Sequence, residues 1–150
     1  AKAVIVYDSI YGNTELVAKA IARTLEAAGH PVRLMRVKDA LKTQAEGDTL
    51  FVGSPTRIGT MTGRTWKLLK NMDVGPWRGK PVVAFDTEAQ ELLKGSGGGA
   101  AARIHDLAVS RGLTVHTPVL RVGVSGIKGP LSTGSEGLVE AYVKEFLRSA

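Results

Sequence analysis

Short apolar runs alternate along the chain with longer stretches in which apolar residues recur at helical spacing. Between Thr14 and Gly29, for example, Val17, Ile21 and Leu25 fall on one helical face, with charged residues between them. The apolar runs predict five strands, over residues 3–7, 32–37, 49–52, 81–85 and 114–124, the last of them interrupted at Pro118. Helices are predicted over residues 14–29, 63–72, 99–111 and 135–147, with a ragged turn over residues 39–45.

This alternation of strands and helices predicts an α/β fold. Each crossover between parallel strands is right-handed and covers one face, so five strands give an open, doubly wound, parallel sheet with helices on both faces. In a sheet of order 2-1-3-4-5, ligands bind outside the carboxyl ends of the strands, where the winding direction reverses between strands one and three. We therefore expect the loops that follow Tyr7, Val52 and Phe85 to meet.

The loop after the first strand has the composition of an anion-binding turn. A strand that turns directly into a helix points backbone N–H groups and the positive end of the helix dipole at one place. Neither a Walker lysine pattern nor G-x-G-x-x-G is present, so we expect a single phosphate monoester held mainly by neutral donors. The alternative is an ordinary turn capped by Ser9 or Asn13. The candidate residues of this first loop are Ser9, Ile10, Tyr11, Gly12, Asn13 and Thr14.

Two further loops carry candidate residues. The second loop, residues 53–63, places a rigid Gly-Ser-Pro-Thr turn after a strand and continues into Arg57, a cation suited to a ring that gains negative charge on reduction. The alternative is a polar loop with a structural proline. The third loop, residues 86–94, begins with two polar residues. The candidates are Ser54, Pro55, Thr56, Arg57, Ile58 and Gly59 in the second loop and Asp86 and Thr87 in the third.

The amino-acid composition excludes several classes of site and of protein. The 150 residues fit one domain, and the 43% hydrophobic content is typical of a globular protein. The chain contains no cysteine, which excludes disulfides, thiolate metal sites and cysteine nucleophiles, and its three histidines lack metal-ligand spacing. No apolar run approaches the roughly 20 residues that span a bilayer. The start lacks a signal-peptide pattern, so we expect a cytoplasmic location and no membrane span.

The net charge of +6 is concentrated in one segment. Between Arg57 and Lys80, six basic residues stand against a single acid, Asp73. This segment is either a docking face for an acidic partner or for nucleotide phosphates, or a solvated helix surface. No aromatic platform for the stacking of bases interleaves these charges, so we expect no nucleic-acid binding.

The first loop resembles that of the flavodoxin family, in which a hydroxyl-x-x-Gly-Asn-Thr pattern after the first strand holds the phosphate of FMN. The second loop resembles that of Trp-repressor-binding-protein-like NAD(P)H:quinone oxidoreductases, and its first four residues are similar to those of flavodiiron proteins. The resemblance covers essentially the whole chain. It implies that residues 1–150 form one flavodoxin-like, FMN-binding domain, with the residues of the three loops as cofactor contacts.

The chain departs from these relatives at two positions where aromatic rings usually stack on the flavin. Ile58 stands where the quinone reductases carry an aromatic residue, and the third loop has none after Phe85. The chain instead resembles a branch of flavodoxin-like proteins that has Phe-Asp-Thr after the fourth strand and Gly-Ser-Gly before the next helix. This branch also has Gly-x-x-Gly-Pro-Leu-x-x-Gly late in the chain, here residues 126–134.

Three functions follow from this resemblance. The first is an electron carrier that shuttles electrons between redox partner proteins, and we favour it because the chain is short and shows no acid/base constellation; no catalytic or metal-binding residue is predicted. The second is an NAD(P)H:quinone oxidoreductase, suggested by Pro55-Thr56-Arg57 and the basic segment, although the long insertion of those enzymes is absent. The third is a binding module that has lost its flavin.

Overall fold

The computed structural model describes residues 1–149. Its strands are β1 (Ala3–Tyr7), β2 (Val32–Arg36), β3 (Thr49–Pro55), β4 (Pro81–Ala89), β5 (Thr114–Val115) and β6 (Leu120–Val124). Its helices are α1 (Asn13–Ala27), α2 (Val37–Ala40), α3 (Gly63–Asn71), α4 (Gly99–Ser110) and α5 (Ser135–Ser149). Among these helices none is both long and apolar enough to cross a membrane.

The strands form one parallel sheet of order β2-β1-β3-β4-β5, as predicted, and β6 also pairs with β4. The fifth predicted strand is therefore two strands, because the chain breaks its pairing around Pro118. β5 pairs with Pro81 and Val82 at the start of β4, and β6 pairs with residues 85–89 further along. The edge position predicted for β2 is confirmed, since it pairs with β1 alone.

Helices cover both faces of the sheet, as the alternation predicted. Val4 and Val6 of β1 face a core shared with α2, α3 and α4, whereas Ile5 and Tyr7 face a second core shared with α1 and α5. Successive strand residues point to opposite faces, so a run of apolar residues such as β1 fills both cores at once. The carboxyl ends of β1, β3 and β4 lie side by side at one edge of these cores, where the loops begin.

Three predicted boundaries were wrong. β3 continues through Pro55 and β4 continues through Ala89, so Asp86 and Thr87 lie within a strand and not in a loop. The polarity of residues 86–88 suggested a loop, but all three are buried and their side chains are hydrogen-bonded. The ragged turn predicted over residues 39–45 is instead one helical turn, α2, which starts directly after β2.

Candidate functional site

A cavity of about 250 Å³ opens where the three loops meet. Ten of the fourteen predicted residues line it, so the expectation that these loops converge is confirmed for most of the set. They are Ile10, Tyr11, Asn13, Thr14, Pro55, Thr56, Arg57, Ile58, Gly59 and Thr87. The other four do not line it: Ser54 and Asp86 are completely buried, whereas Ser9 and Gly12 are half-buried in the first loop.

Free backbone donors of the first loop surround the start of α1. Within residues 1–149, nothing accepts a hydrogen bond from the N–H groups of Ile10, Tyr11, Asn13 or Thr14. Thr14 is only 1% exposed, so water cannot readily satisfy its N–H. Buried backbone donors are almost always paired in folded proteins. The first loop therefore offers several donors, one of them deeply buried, at the positive end of a 15-residue helix.

The side chains of the first loop already have structural partners. Ser9 Oγ accepts hydrogen bonds from the N–H groups of Gly12 and Glu15, which fixes the turn, and Gly12 adopts the left-handed conformation with φ of 92°. The Asn13 amide donates to the Lys128 carbonyl. The Thr14 and Thr87 hydroxyls lie 2.8 Å apart, which joins the first loop to β4. The backbone thus supplies more free donors here than the side chains.

The second loop is a two-residue hairpin. Arg57 and Thr60 exchange both backbone hydrogen bonds, and Ile58 and Gly59 between them have φ of 50° and 76°. Positive φ at both central positions is typical of a type I′ turn. A β-branched residue is strained in this conformation, so the fully exposed Ile58 side chain is held at the cavity mouth at an energetic cost.

Ser54 closes the base of this hairpin. Its hydroxyl donates to the Pro55 carbonyl and accepts from the N–H of Thr62, and its side chain has no exposed surface. Ser54, which was predicted as a cofactor contact, thus has a structural role at the base of this hairpin.

A buried ion cluster lies behind the wall formed by β4. Arg121 donates from Nε to both carboxylate oxygens of Asp86, at 3.1 and 3.2 Å, and its guanidinium also binds Glu88 and Ser96. Thr56 Oγ1 and the N–H of Ala101 donate to Asp86 as well. Burial raises the pKa of Asp86 to about 6, against the opposing effects of the Ala101 N–H and Arg121.

This cluster connects the cavity wall to more distant elements. Thr56 and Glu88 line the cavity, Arg121 lies on β6, and α4 donates to the cluster through the N–H groups of Ala100 and Ala101. Asp86, predicted as a cofactor contact, points away from the cavity into this cluster and is completely buried. Asp86 therefore stabilises the cavity wall through Thr56 and does not line the cavity itself.

Sequence reasoning missed four residues of the cavity: Glu88, Ala89, Leu92 and Ile127. The first two were missed because β4 continues past the point where its apolar pattern ends. Ile127 lies in residues 126–134, a segment that the resemblance already singled out. That segment folds against the first loop through the Lys128 carbonyl and through Lys128 Nζ, which lies 5.8 Å from the centre of the Tyr11 ring.

The mouth of the cavity is apolar. Of the ten large apolar side chains that the described chain exposes, five line this one cavity. Such a concentration differs from the scattered exposed residues normal on protein surfaces and is typical of a ligand or partner site. The five are Ile10, Tyr11, Ile58, Leu92 and Ile127.

The basic segment between Arg57 and Lys80 is largely exposed. Lys80 is half-buried and donates to the Gly47 carbonyl, and Lys70 Nζ lies 5.7 Å from the centre of the exposed Trp66 ring. Within residues 1–149, Arg64 is the only cation of this segment that forms an ion pair with a carboxylate, that of Asp8. The surface therefore keeps most of its positive charge uncompensated.

The sequence model of the flavodoxin family matches residues 5–92, which is more than half of the chain. The chain belongs to the flavodoxin family. The matched region includes the first loop, the second loop and all of β4, and so covers every predicted site residue. Family membership supports flavin-dependent electron transfer in general terms.

Solved structures share the fold over the whole chain. A flavodoxin from the domain Archaea has 24% identity and a TM-score of 0.80, with 99% of this chain and 98% of that chain covered. A WrbA-like flavodoxin from Agrobacterium tumefaciens has 19% identity and a TM-score of 0.78, with 99% and 96% covered. Rubredoxin oxygen:oxidoreductase from Desulfovibrio gigas has 21% identity and a TM-score of 0.77, but this chain spans only 35% of it.

Proposed function

We propose that this flavodoxin family member is an FMN-binding electron carrier, with the FMN phosphate on the first loop and the flavin ring in the cavity. The observation that carries the proposal is the buried, unpartnered N–H of Thr14 at the start of α1, beside three further free N–H groups. An anion at this point would satisfy donors that no protein group satisfies.

The residues present fit this cofactor. The first loop supplies neutral donors for a monoester, and the apolar mouth supplies walls that exclude water from a ring. These walls are mainly aliphatic, from Ile10, Ile58, Leu92 and Ile127, with Tyr11 as the aromatic member. FMN, when bound, supplies the redox chemistry, and the protein tunes it through hydrogen bonds and nearby charge. We propose that Arg57, exposed at the edge of the cavity, favours the reduced, negatively charged ring.

The uncompensated basic segment supports an acidic redox partner. Arg57 lines the cavity and begins this segment, so a partner docked on the segment would lie close to the ring. Complementary charge raises the rate of encounter and makes it sensitive to salt. We therefore propose that electrons pass between this chain and acidic partner proteins.

We expect the apoprotein to bind FMN about 100-fold or more tightly than riboflavin, because two hydrogen bonds to a charged group contribute about 3 kcal/mol or more. Replacing Thr14 by valine should weaken FMN binding about tenfold, since the Thr87 hydroxyl can donate to Thr14 Oγ1 and leave the Thr14 proton for the phosphate. Isothermal titration calorimetry of both flavins measures the two effects.

Thr14→Ser is the matched control, because it keeps the hydroxyl and should retain most of the affinity. Riboflavin binding should be similar in all three proteins, since the change affects the phosphate alone. Equal affinity of the wild-type chain for FMN and riboflavin would rule out the phosphate assignment. No binding of either flavin would favour the flavin-free module instead.

The FMN-loaded protein is expected to show slow flavin reduction by NADH or NADPH and no sustained turnover of a soluble quinone. Within residues 1–149 the cavity is lined by the three loops and Ile127, and no further segment encloses a nicotinamide beside a flavin. The competing function is an NAD(P)H:quinone oxidoreductase, which the exposed cations of the basic segment favour because they suit nucleotide phosphates. Stopped-flow absorbance at the flavin band distinguishes them: rapid reduction with many turnovers of quinone would establish the reductase.

A further inference from the structure

Asp8 directly follows β1, and its carboxylate binds groups of the first loop, the second loop and α3. It is 6% exposed, and its Oδ1 accepts the N–H of Ser9 at 3.0 Å. Its Oδ2 accepts the Thr62 hydroxyl at 2.6 Å. Arg64 binds the same carboxylate with two nitrogens, Nε to Oδ2 at 3.2 Å and a terminal guanidinium nitrogen to Oδ1 at 3.0 Å. One carboxylate thus joins the first loop to the end of the second loop and to α3.

The position of Asp8 is electrostatically unfavourable for binding an anion. A buried carboxylate adjacent to the first loop repels a phosphate, and by accepting the Ser9 N–H it also removes one backbone donor from the loop. The proposed phosphate would therefore approach a negative charge unless a cation offsets it. Within residues 1–149, the only ion pair that Asp8 makes is with Arg64.

Arg64 is likewise badly placed for its own helix. It is the second residue of α3, and a cation in the first turn faces the positive end of the helix dipole. This turn contains no acidic residue of its own. The ion pair offsets both unfavourable interactions: the repulsion between Asp8 and a phosphate, and the repulsion between Arg64 and the positive end of the α3 dipole.

We propose that Arg64 is a positioning residue that sets the affinity of the first loop for a phosphate monoester, because it neutralises Asp8. The inference rests on the proposed FMN function and names a determinant that lies outside the first loop. Arg64 does not line the cavity and its guanidinium binds the buried Asp8, so an electrostatic effect through that carboxylate is the route by which it acts. The pair works as a unit: without Arg64, Asp8 opposes the phosphate, and without Asp8, Arg64 is not needed.

The test measures FMN and riboflavin affinities of Arg64→Met, Asp8→Asn, the double variant and Arg78→Met by titration of the apoprotein. Arg64→Met should weaken FMN binding about tenfold, which is about 1.4 kcal/mol, and should leave riboflavin within about twofold. Asp8→Asn in the Arg64→Met background should restore FMN affinity to within about threefold of wild type. Arg78→Met removes an equal, exposed charge from the same basic segment and should change FMN affinity by less than about twofold.

Each contrary result has a distinct meaning. If the wild type does not prefer FMN over riboflavin, the proposed function fails and the inference fails with it. If the wild type prefers FMN but Arg64→Met matches Arg78→Met, the loss is a general charge effect and only the inference is overturned. The inference is also overturned if riboflavin binding falls equally, since that indicates a structural defect, or if Asp8→Asn does not restore FMN binding.

Discussion

Replacing Arg121 by methionine is expected to lower the free energy of unfolding of the apoprotein by about 3 to 5 kcal/mol at pH 7. The side chain volume is similar, but Asp86 and Glu88, which are 0% and 7% exposed, lose the cation that pairs with both. An unpaired buried carboxylate is among the most destabilising groups in a protein interior. Urea unfolding followed by circular dichroism measures the loss.

The pH dependence of the free energy of unfolding tests whether Asp86 causes this loss. The folded pKa of Asp86, about 6, lies above its ordinary value of 3.8, so the folded state holds this proton more tightly. The contribution of Asp86 therefore favours folding below about pH 4 and is lost as the pH rises to about 6. Without Arg121 the carboxyl group of Asp86 should protonate more readily, so the deficit of Arg121→Met should be smaller at pH 5 than at pH 8.

Arg148→Met is the matched control for this experiment. Arg148 pairs with Glu145 on the surface of α5, where both side chains are at least 70% exposed. Exposed ion pairs contribute about 0 to 1 kcal/mol, so this variant should unfold almost like the wild type. A similar small loss for Arg121→Met would show that the buried cluster is not what supports β4 and β6.

Replacing Gly53 by alanine is expected to cost about 3 kcal/mol or more. Gly53 lies in β3 directly beside Phe85 of β4, and a Cβ at Gly53 would lie 2.1 Å from the Phe85 ring. The ring is completely buried in the core against α1 and α5, so it cannot move aside freely. Guanidinium unfolding of the apoprotein measures the effect.

Gly137→Ala serves as the comparison. Gly137 is exposed within α5, and a Cβ there meets no atom within 4 Å. Alanine should stabilise this helix by about 0.5 to 1 kcal/mol. Adding Phe85→Leu to Gly53→Ala should recover part of the loss, because it removes the ring atoms in conflict. If the double variant is no more stable than Gly53→Ala, overpacking against the ring is not the cause.

Apolar periodicity was enough to predict most of the elements, whereas the strand order 2-1-3-4-5 came from the resemblance to the flavodoxin family. β1 was predicted with its observed bounds, because all five of its residues are apolar and buried. The prediction failed where polar residues are buried. β4 appeared to end at Phe85, yet Asp86, Thr87 and Glu88 continue the strand. Their partners, such as Arg121, lie about 35 positions away, and local sequence does not reveal which distant residue satisfies a polar side chain.

The candidate site was predictable to a similar extent and for similar reasons. The order of a doubly wound sheet determines that the three loops meet, and ten of the predicted residues do line the cavity. Sequence alone did not separate residues that face the cavity from those that support it. Ser54 and Asp86 are polar, as Thr56 and Thr87 are, but the side chains of Ser54 and Asp86 are completely buried and do not line the cavity. That distinction depends on side-chain direction, which only the packed structure determines.

The contact between the first loop and residues 126–134 joins a part of the cavity that the family model matches to a part that lies beyond the match. The first loop, the second loop and β4 lie within the region that matches the family, whereas Arg121, Ile127 and Lys128 lie beyond its last matched residue, Leu92. The wall that residues 126–134 add to the cavity therefore lies outside the region that the family model matches. Substitutions in residues 126–134 should therefore change the cavity mouth at Ile127 and leave the backbone donors of the first loop in place.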